Sequence, residues 1–263
     1  MKRIALFLVC VLFCIPAFGQ KVDTKVIDQI NASNAKVKSF TADVETVIKR
    51  RMVVYTLSGK LSCEKDKNLR ITNHMVVNGK FMSDMGSNGS YFWFYARRVD
   101  PNNMFYAKYA DLNKTNLKDS LNPLWLIESL NMIQVDTKNT TVQMQGDKLV
   151  VFQVKTSTRK KQMIKAIVID PKQPTVVANY LYNANKKLVT SADIESFYTT
   201  NNGLLIPKVI KGRWNDEDVY ITWTFRNFKF NVKIDSNVFK MPNLGVNEVD
   251  LGNTKEQYQG IND

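Results

Sequence analysis

From Phe40 to Phe230 the chain is a succession of short runs rich in Val, Ile, Thr, Tyr and Phe, each closed by Gly, Asn, Asp or Pro. Runs of this kind between turn residues read as β-strands, and strands joined by short turns lie antiparallel. The first series falls at 41–50, 53–65, 68–77, 80–85, 91–98 and 104–109, with Asn78-Gly79 and Asn88-Gly89 as hairpin signals. The second falls at 140–145, 148–156, 162–169, 175–182, 188–198, 205–214 and 218–230. Its turns are Asp170-Pro171, Asn183-Ala184-Asn185 and Asn201-Asn202-Gly203. No Gly/Ser or Pro tract separates the two series. The pattern therefore predicts one domain over 20–245, followed by a polar tail over 246–263.

Two helical stretches interrupt the strands. Val22, Val26, Ile30 and Val37 recur at helical spacing, with Ile27 widening the stripe. Within 112–133, Asn122 and Pro123 open a helix whose residues from Leu124 to Ile133 leave almost no polar face. A helix apolar nearly all round must be covered, either by protein or by an apolar ligand. Many antiparallel strands with two helices give a mainly β (α+β) fold, a large curved sheet or open barrel whose concave face the helices plug. Tyr91-Phe92-Trp93-Phe94-Tyr95 is aromatic on both strand faces. Phe92 and Phe94, wholly apolar, are expected inward. Tyr91, Trp93 and Tyr95 carry polar handles and are expected toward a partner or the rim.

The first residues specify a compartment. Lys2 and Arg3 precede an apolar run from Ile4 to Ile15, and Pro16-Ala17-Phe18-Gly19 comes next. This is the order of a secretory signal peptide, with cleavage expected after Gly19. The run is shorter than the ~20 residues a membrane span needs. Cys10 and Cys14 lie inside it, so Cys63 alone remains in the exported chain and no internal disulfide forms. Removal of the leader leaves 244 of the 263 residues and lowers the net charge from +13 to +11. A basic balance of this size attracts anionic lipid head groups, acidic partners or nucleic acid. Its runs (Lys49-Arg50-Arg51, Arg159-Lys160-Lys161, Lys186-Lys187) sit between strands, where charge is ordinarily a solvated turn.

Catalytic patterns are missing. The single histidine, His74, excludes a His-pair metal site, and Cys63 has neither a second cysteine nor a spaced histidine. No Gly-x-Ser-x-Gly occurs, and Gly86-Ser87-Asn88-Gly89 lacks the Gly-Lys-Ser/Thr of a phosphate loop. Asp216, Glu217 and Asp218 form a loop without the spaced oxygens of a calcium site. Tyr95 with Arg97 and Arg98, and Trp214 beside Arg213, are the basic-aromatic pairs that nucleic acid would require. An export signal argues against that role. The expectation is a binding protein, not an enzyme, with no cofactor, no metal and no nucleic-acid partner.

The order of elements resembles the periplasmic lipoprotein carrier and outer-membrane lipoprotein receptor superfamily, the Lol carrier-like proteins. The residues that carry the resemblance are Ser39-Phe40-Thr41-Ala42-Asp43 after the leading helix and Ser87-Asn88-Gly89-Ser90 before Phe92-Trp93-Phe94-Tyr95. Near the end Phe225-Arg226-Asn227-Phe228 leads through Ile234-Asp235 to Phe239-Lys240-Met241-Pro242. The resemblance implies an unclosed antiparallel β half-barrel with helices over its concave face, enclosing a cavity for lipoprotein acyl chains. It implies a periplasmic carrier, expected as a monomer, that binds lipoprotein acyl chains or another lipid. The candidate lining is Phe92, Phe94, Phe105, Trp125, Leu126, Ile127 and Trp223. The family's carrier latches its helical lid with an arginine near the end of the second strand. Cys63-Glu64-Lys65-Asp66-Lys67 offers lysines there, without the planar fork of arginine. The alternative is an envelope interaction protein of the same fold, solidly packed inside, with a basic face that docks a membrane or protein partner.

Overall fold

The first and last long strands of the chain pair with each other, and that pairing joins the two meanders into one sheet. β1 (Ser39–Arg50) lies antiparallel to β13 (Val219–Phe230), from Phe40 opposite Phe230 to Arg50 opposite Val219. The structure is a computed structural model that describes residues 24–64, 68–114, 128, 130, 134–137, 140–156 and 162–253. Residues 1–19, expected as a leader, and the residues Trp125, Leu126 and Ile127 lie outside these.

On one side of β1 run β2 (Val53–Glu64), β3 (Asn68–Met75), β4 (Phe81–Asn88), β5 (Tyr91–Ala96) and β6 (Asn103–Lys108). Beyond β13 run β12 (Leu205–Trp214), β11 (Leu188–Thr199), β10 (Thr175–Asn183), β9 (Gln162–Asp170), β8 (Lys148–Thr156) and β7 (Thr140–Gln145). A short β14 (Asn247–Asp250) adds to β6 as the other edge, so one 14-stranded sheet ends on β14 and β7 without closing. The predicted half-barrel class and its strand series are as observed, apart from β14. Residues 247–250 fall in the stretch expected as polar tail. Asn247 to Asp250 instead pair parallel with Asn103 to Tyr106. An edge strand recruits a partner through its free backbone groups, so Asn-Glu-Val-Asp can join it without an apolar pattern.

The inner face is set by alternation. Phe40, Ala42 and Val44 of β1 are buried, while Thr41, Asp43 and Glu45 between them are not. Phe225 and Phe228 of β13 are three apart, so a regular strand would put them on opposite faces. An extra residue in β13 shifts the register between Thr41 and Asp43, and Asn227 takes φ 54° there. Asn tolerates that left-handed conformation, and a bulge re-aims the side chains beyond it. Phe228 and Phe230 consequently stack at 5.5 Å and join Phe40 and Phe225 in the central core.

Two covers lie on this face. Helix α1 (Lys25–Ala35) buries Ile27 and Ile30 against Leu149, Val151, Ile167 and Ile169 of β8 and β9. Asn31 anchors the chain that returns to β7: its Nδ2 donates to the Val135 carbonyl at 3.0 Å, and its Oδ1 accepts from the Val135 N–H at 2.7 Å. The second cover is the segment around Glu128 and Leu130. Leu130 is buried in the central core beside residues of β1–β3 and β11–β13.

The outer face has a core of its own over β3–β6, and it corrects the rim position expected for Trp93 and Tyr95, while Phe92 and Phe94 point inward as expected. Trp93 is fully buried and Tyr95 nearly so, packed with Met104, Phe81, Met241 and Leu244. Their polar handles predict a place at the rim or against a partner. The chain after β13 folds back over them instead, through a 3-10 turn at Ser236–Phe239. Trp93 donates its indole N–H to Asp84 at 2.8 Å, and its ring lies where a Cβ on Gly86 would come within 2.0 Å. Only glycine fits opposite that ring. Arg70 meets the same carboxylate through Nε and Nη2 and donates Nη1 to the Val238 carbonyl at 3.0 Å. Asp84 is thus a fully buried charge whose partners tie the returning segment to the sheet.

Candidate functional site

Two adjacent rows of cross-strand partners on the inner face have opposite fates. One runs Phe40, Cys63, Leu69, Ser87, Phe92 and Ala107 across β1 to β6. Every member is buried, and Tyr109 and Leu251 close its far end against Phe92 and Ala107. Ser87 and Tyr109 share a hydroxyl hydrogen bond of 2.8 Å there. The other runs Ala42, Leu61, Ile71, Met85, Phe94 and Phe105 across the same strands. It begins as closed core, with Leu61 at 0% and Ile71 at 1% exposure. It then opens: Met85 and Phe105 are half-buried, and Phe94 is 37% exposed. The next row runs Val44, Gly59, Asn73, Ser83 and Ala96, and its polar members are satisfied: Asn73 accepts from Thr46 at 3.1 Å and donates to Ser83 at 3.0 Å.

Among the described residues the sheet therefore holds an apolar strip left partly open, centred on the exposed Phe94, with Phe105 beside it and Met85 joining it to the central core. A strand neighbour of Phe94 cannot cover it, because Trp93 and Tyr95 point to the other face. The sequence-expected lining separates accordingly. Phe94 and Phe105 lie together on the strip. Phe92 and Trp223 share the inner face but are buried at 3% and 5% in packed core, Trp223 edge-on to Trp214 at 6.0 Å. Trp125, Leu126 and Ile127 lie outside the described residues.

Sequence reasoning missed the polar groups of this face. Lys165, inward on β9 and 5% exposed, pairs with Glu128 of the second cover. The pair holds the cover to the β9 side while Leu130 holds it to the centre. This is a link between cover and sheet made by a lysine far from 63–67. Diagonal to Lys165 on the same face lies Asn179, opposite Ile167 and Ala192. Asn179 is 2% exposed, and its Nδ2 has no hydrogen-bond partner among the described residues. Lysine in an Ile-Lys-Ala-Ile-Val strand is a legible anomaly, since an ionised group is rarely buried unless paired.

Cys63 is held inert. Burial pushes the Cys63 thiol up to about 12, so it stays protonated and packs as a small apolar side chain. His74 stands edge-on to Phe81 at 5.4 Å. Burial and the neighbouring Asp193 carboxylate, to which it donates at 2.7 Å, push the Tyr180 phenol far up. Asp193 is itself raised by its burial. Among the described residues no three His, Cys, Asp or Glu side chains gather as a metal site.

Solved structures of the same architecture are known. An outer membrane lipoprotein-sorting protein domain from Vibrio parahaemolyticus superposes with TM-score 0.58 at 8% identity, covering 82% of this chain and 94% of its own. The chain has a lipoprotein-carrier fold. A LolA superfamily protein from Nitrosomonas europaea matches it at TM-score 0.53 and 9% identity, over 82% of this chain and 97% of that one. A DUF1329 family protein from Desulfovibrio piger does so at 0.55 and 12%, over 82% and 95%. No family model matches the sequence and no curated protein does, so the likeness is one of fold. The open strip is on the same face of the sheet as α1 and the segment around Glu128 and Leu130.

Proposed function

We propose that the chain is an exported, periplasmic binding protein that lays lipoprotein acyl chains, or those of another lipid, along the Met85–Phe94–Phe105 strip. Outer-membrane lipoprotein sorting is the process this fits. The observation that carries the reading is the exposure of Phe94 at the open end of a row that begins as closed core at Leu61 and Ile71. Each methylene removed from water contributes ~0.8 kcal/mol, so one or two acyl chains bind firmly without specific polar contacts. The fold supports the reading, as does a neighbour whose name includes lipoprotein sorting. Cys63 and His74 offer no nucleophile or base to a ligand on the strip, which favours binding over catalysis.

Native mass spectrometry of protein purified from the cell envelope, followed by lipid extraction, tests this directly. The expected result is a co-purifying lipid, and a gain in fluorescence when an apolar dye is added to delipidated protein. A protein with no bound lipid and no dye response would sink the carrier reading and leave the packed interaction protein.

A further inference from the structure

The three hairpin tips β1–β2, β3–β4 and β5–β6 all lie at one end of the sheet, because the meander's other turns lie at the opposite end. Turn tips ordinarily carry Gly, Asn, Asp or Ser. These carry large apolar side chains. Met52 is 98% and Val77 90% exposed, and Val53, Val54, Val76 and Val99 lie between 46% and 58%. Isolated exposed valines are ordinary, but six apolar side chains on three neighbouring tips are not.

Exposed basic residues are interleaved with them: Lys49, Arg51, Lys80, Arg97 and Arg98. Arg98 spans from its tip to β2, its guanidinium 4.5 Å over the Tyr55 ring and 3.4 Å from the Tyr55 hydroxyl. That contact ties the outermost tip to the first hairpin and makes the rim one surface. The acid of the β5–β6 tip, Asp100, is engaged in its own turn: it accepts from the N–H groups of Asn102 and Asn103 and from the Asn103 amide. The acidic turn Asp216–Asp218 lies at the same end of the sheet beside the β1–β2 tip, since Arg50 is opposite Val219, and Asp216 there is engaged with Lys187 at 2.9 Å.

The geometry points to this rim as a docking surface for an anionic lipid bilayer. Apolar tips enter the interface, and the arginine and lysine collar meets the head groups. A protein partner would also bury apolar tips. A cationic collar spread over three separate hairpins matches a diffuse anionic surface better than a single pattern of acidic side chains. The inference stands apart from the carrier reading, since it uses no residue of the strip.

Co-sedimentation with vesicles tests it. The described fold begins at residue 24, so a chain lacking residues 1–19 keeps all of it. Binding to vesicles of phosphatidylglycerol and phosphatidylcholine should exceed binding to phosphatidylcholine alone by at least about tenfold, and should fall with salt. Arg97→Glu with Arg98→Glu should weaken it by about fivefold or more per residue. Met52→Asp with Val77→Asp should abolish it, with an unchanged urea midpoint because both side chains are already in water. Val77→Trp should give an indole emission that shifts blue on anionic vesicles, a readout that does not depend on the charge variants folding. An unaltered chain that ignores anionic vesicles, tip variants that still bind, or an indole emission from the Val77→Trp chain that does not move would each overturn the proposal. Dye uptake in vesicle-free solution reads the strip separately, so failure of one proposal is not failure of the other.

Discussion

Phe94→Ala separates a ligand-facing side chain from a core one. An aromatic side chain offers roughly 200 Å². The 37% of Phe94 left uncovered is then about 75 Å² available to a ligand. At about 25 cal/mol per Å² this area contributes about 1.9 kcal/mol of binding, or about 25-fold in affinity. Leu61, on the same row at 0% exposure, has nothing left for a ligand. Leu61→Ala should cost about 2.5–5 kcal/mol of stability through the cavity it leaves. Phe94→Ala should cost clearly less stability than Leu61→Ala, yet weaken binding of a fluorescent fatty acid by about 25-fold. Urea unfolding and fluorescence titration measure the two quantities on the same samples. If Phe94→Ala binds the fatty acid within twofold of the unaltered chain, the strip is not the acyl site and the reasoning from exposure fails.

Other expected outcomes rest on the same contacts. Asp84→Ala strands Arg70 and the Trp93 indole N–H and should cost about 3–5 kcal/mol. Gly86→Ala should cost about 1–3 kcal/mol by driving a methyl into the Trp93 ring, both read as urea midpoints. Lys165→Met removes the cation that Glu128 meets, and hydrogen exchange at Val135 and its neighbours should speed up relative to β1, where no change is expected. At alkaline pH, burial raises the Cys63 thiol from 9.0 to about 12 and the Tyr182 phenol from 10.0 to about 12. In both, the folded value lies above the unfolded one. The stability they contribute is therefore complete below about pH 9 and is lost as pH rises toward 12. Cys63→Ala should move the onset of that loss in urea midpoints up toward about pH 10.

The strands are legible because alternation and turn residues are local signals, and thirteen runs read from the sequence correspond to β1 through β13. Contact between distant segments is what stays hidden. Tyr91-Phe92-Trp93-Phe94-Tyr95 announces two buried faces, but nothing near it says that residues 236–246 cover one of them. The signal is in the polar handle itself: a Trp93 N–H requires an acceptor, and Asp84 lies opposite Tyr95 on the adjacent strand. The bulge at Asn227 is legible only from the spacing of Phe225 and Phe228, which no regular strand can satisfy on one face. Of the candidate lining, composition marks Phe92, Phe94, Phe105 and Trp223 as apolar. It cannot rank them, because Phe92 and Phe94 differ only in which cross-strand row they join.

The strip and the rim lie on one arm of the sheet, and their separation makes a joint prediction. Phe94 is three residues from Arg97, which begins the β5–β6 tip, or about 10 Å along a strand. An acyl chain leaving a bilayer at the tips would reach the strip without crossing the closed core at Leu61 and Ile71. Uptake of a fluorescent lipid from anionic vesicles should therefore need both surfaces. Phe94→Ala should weaken capture from vesicles and from solution alike, because it removes contact with the bound chain. Met52→Asp with Val77→Asp should slow transfer from vesicles while leaving the equilibrium affinity in solution unchanged. Stopped-flow transfer rates with matched titrations distinguish the two effects. Tip variants that take up vesicle lipid at the unaltered rate would mean that cargo enters elsewhere, even if the strip holds it.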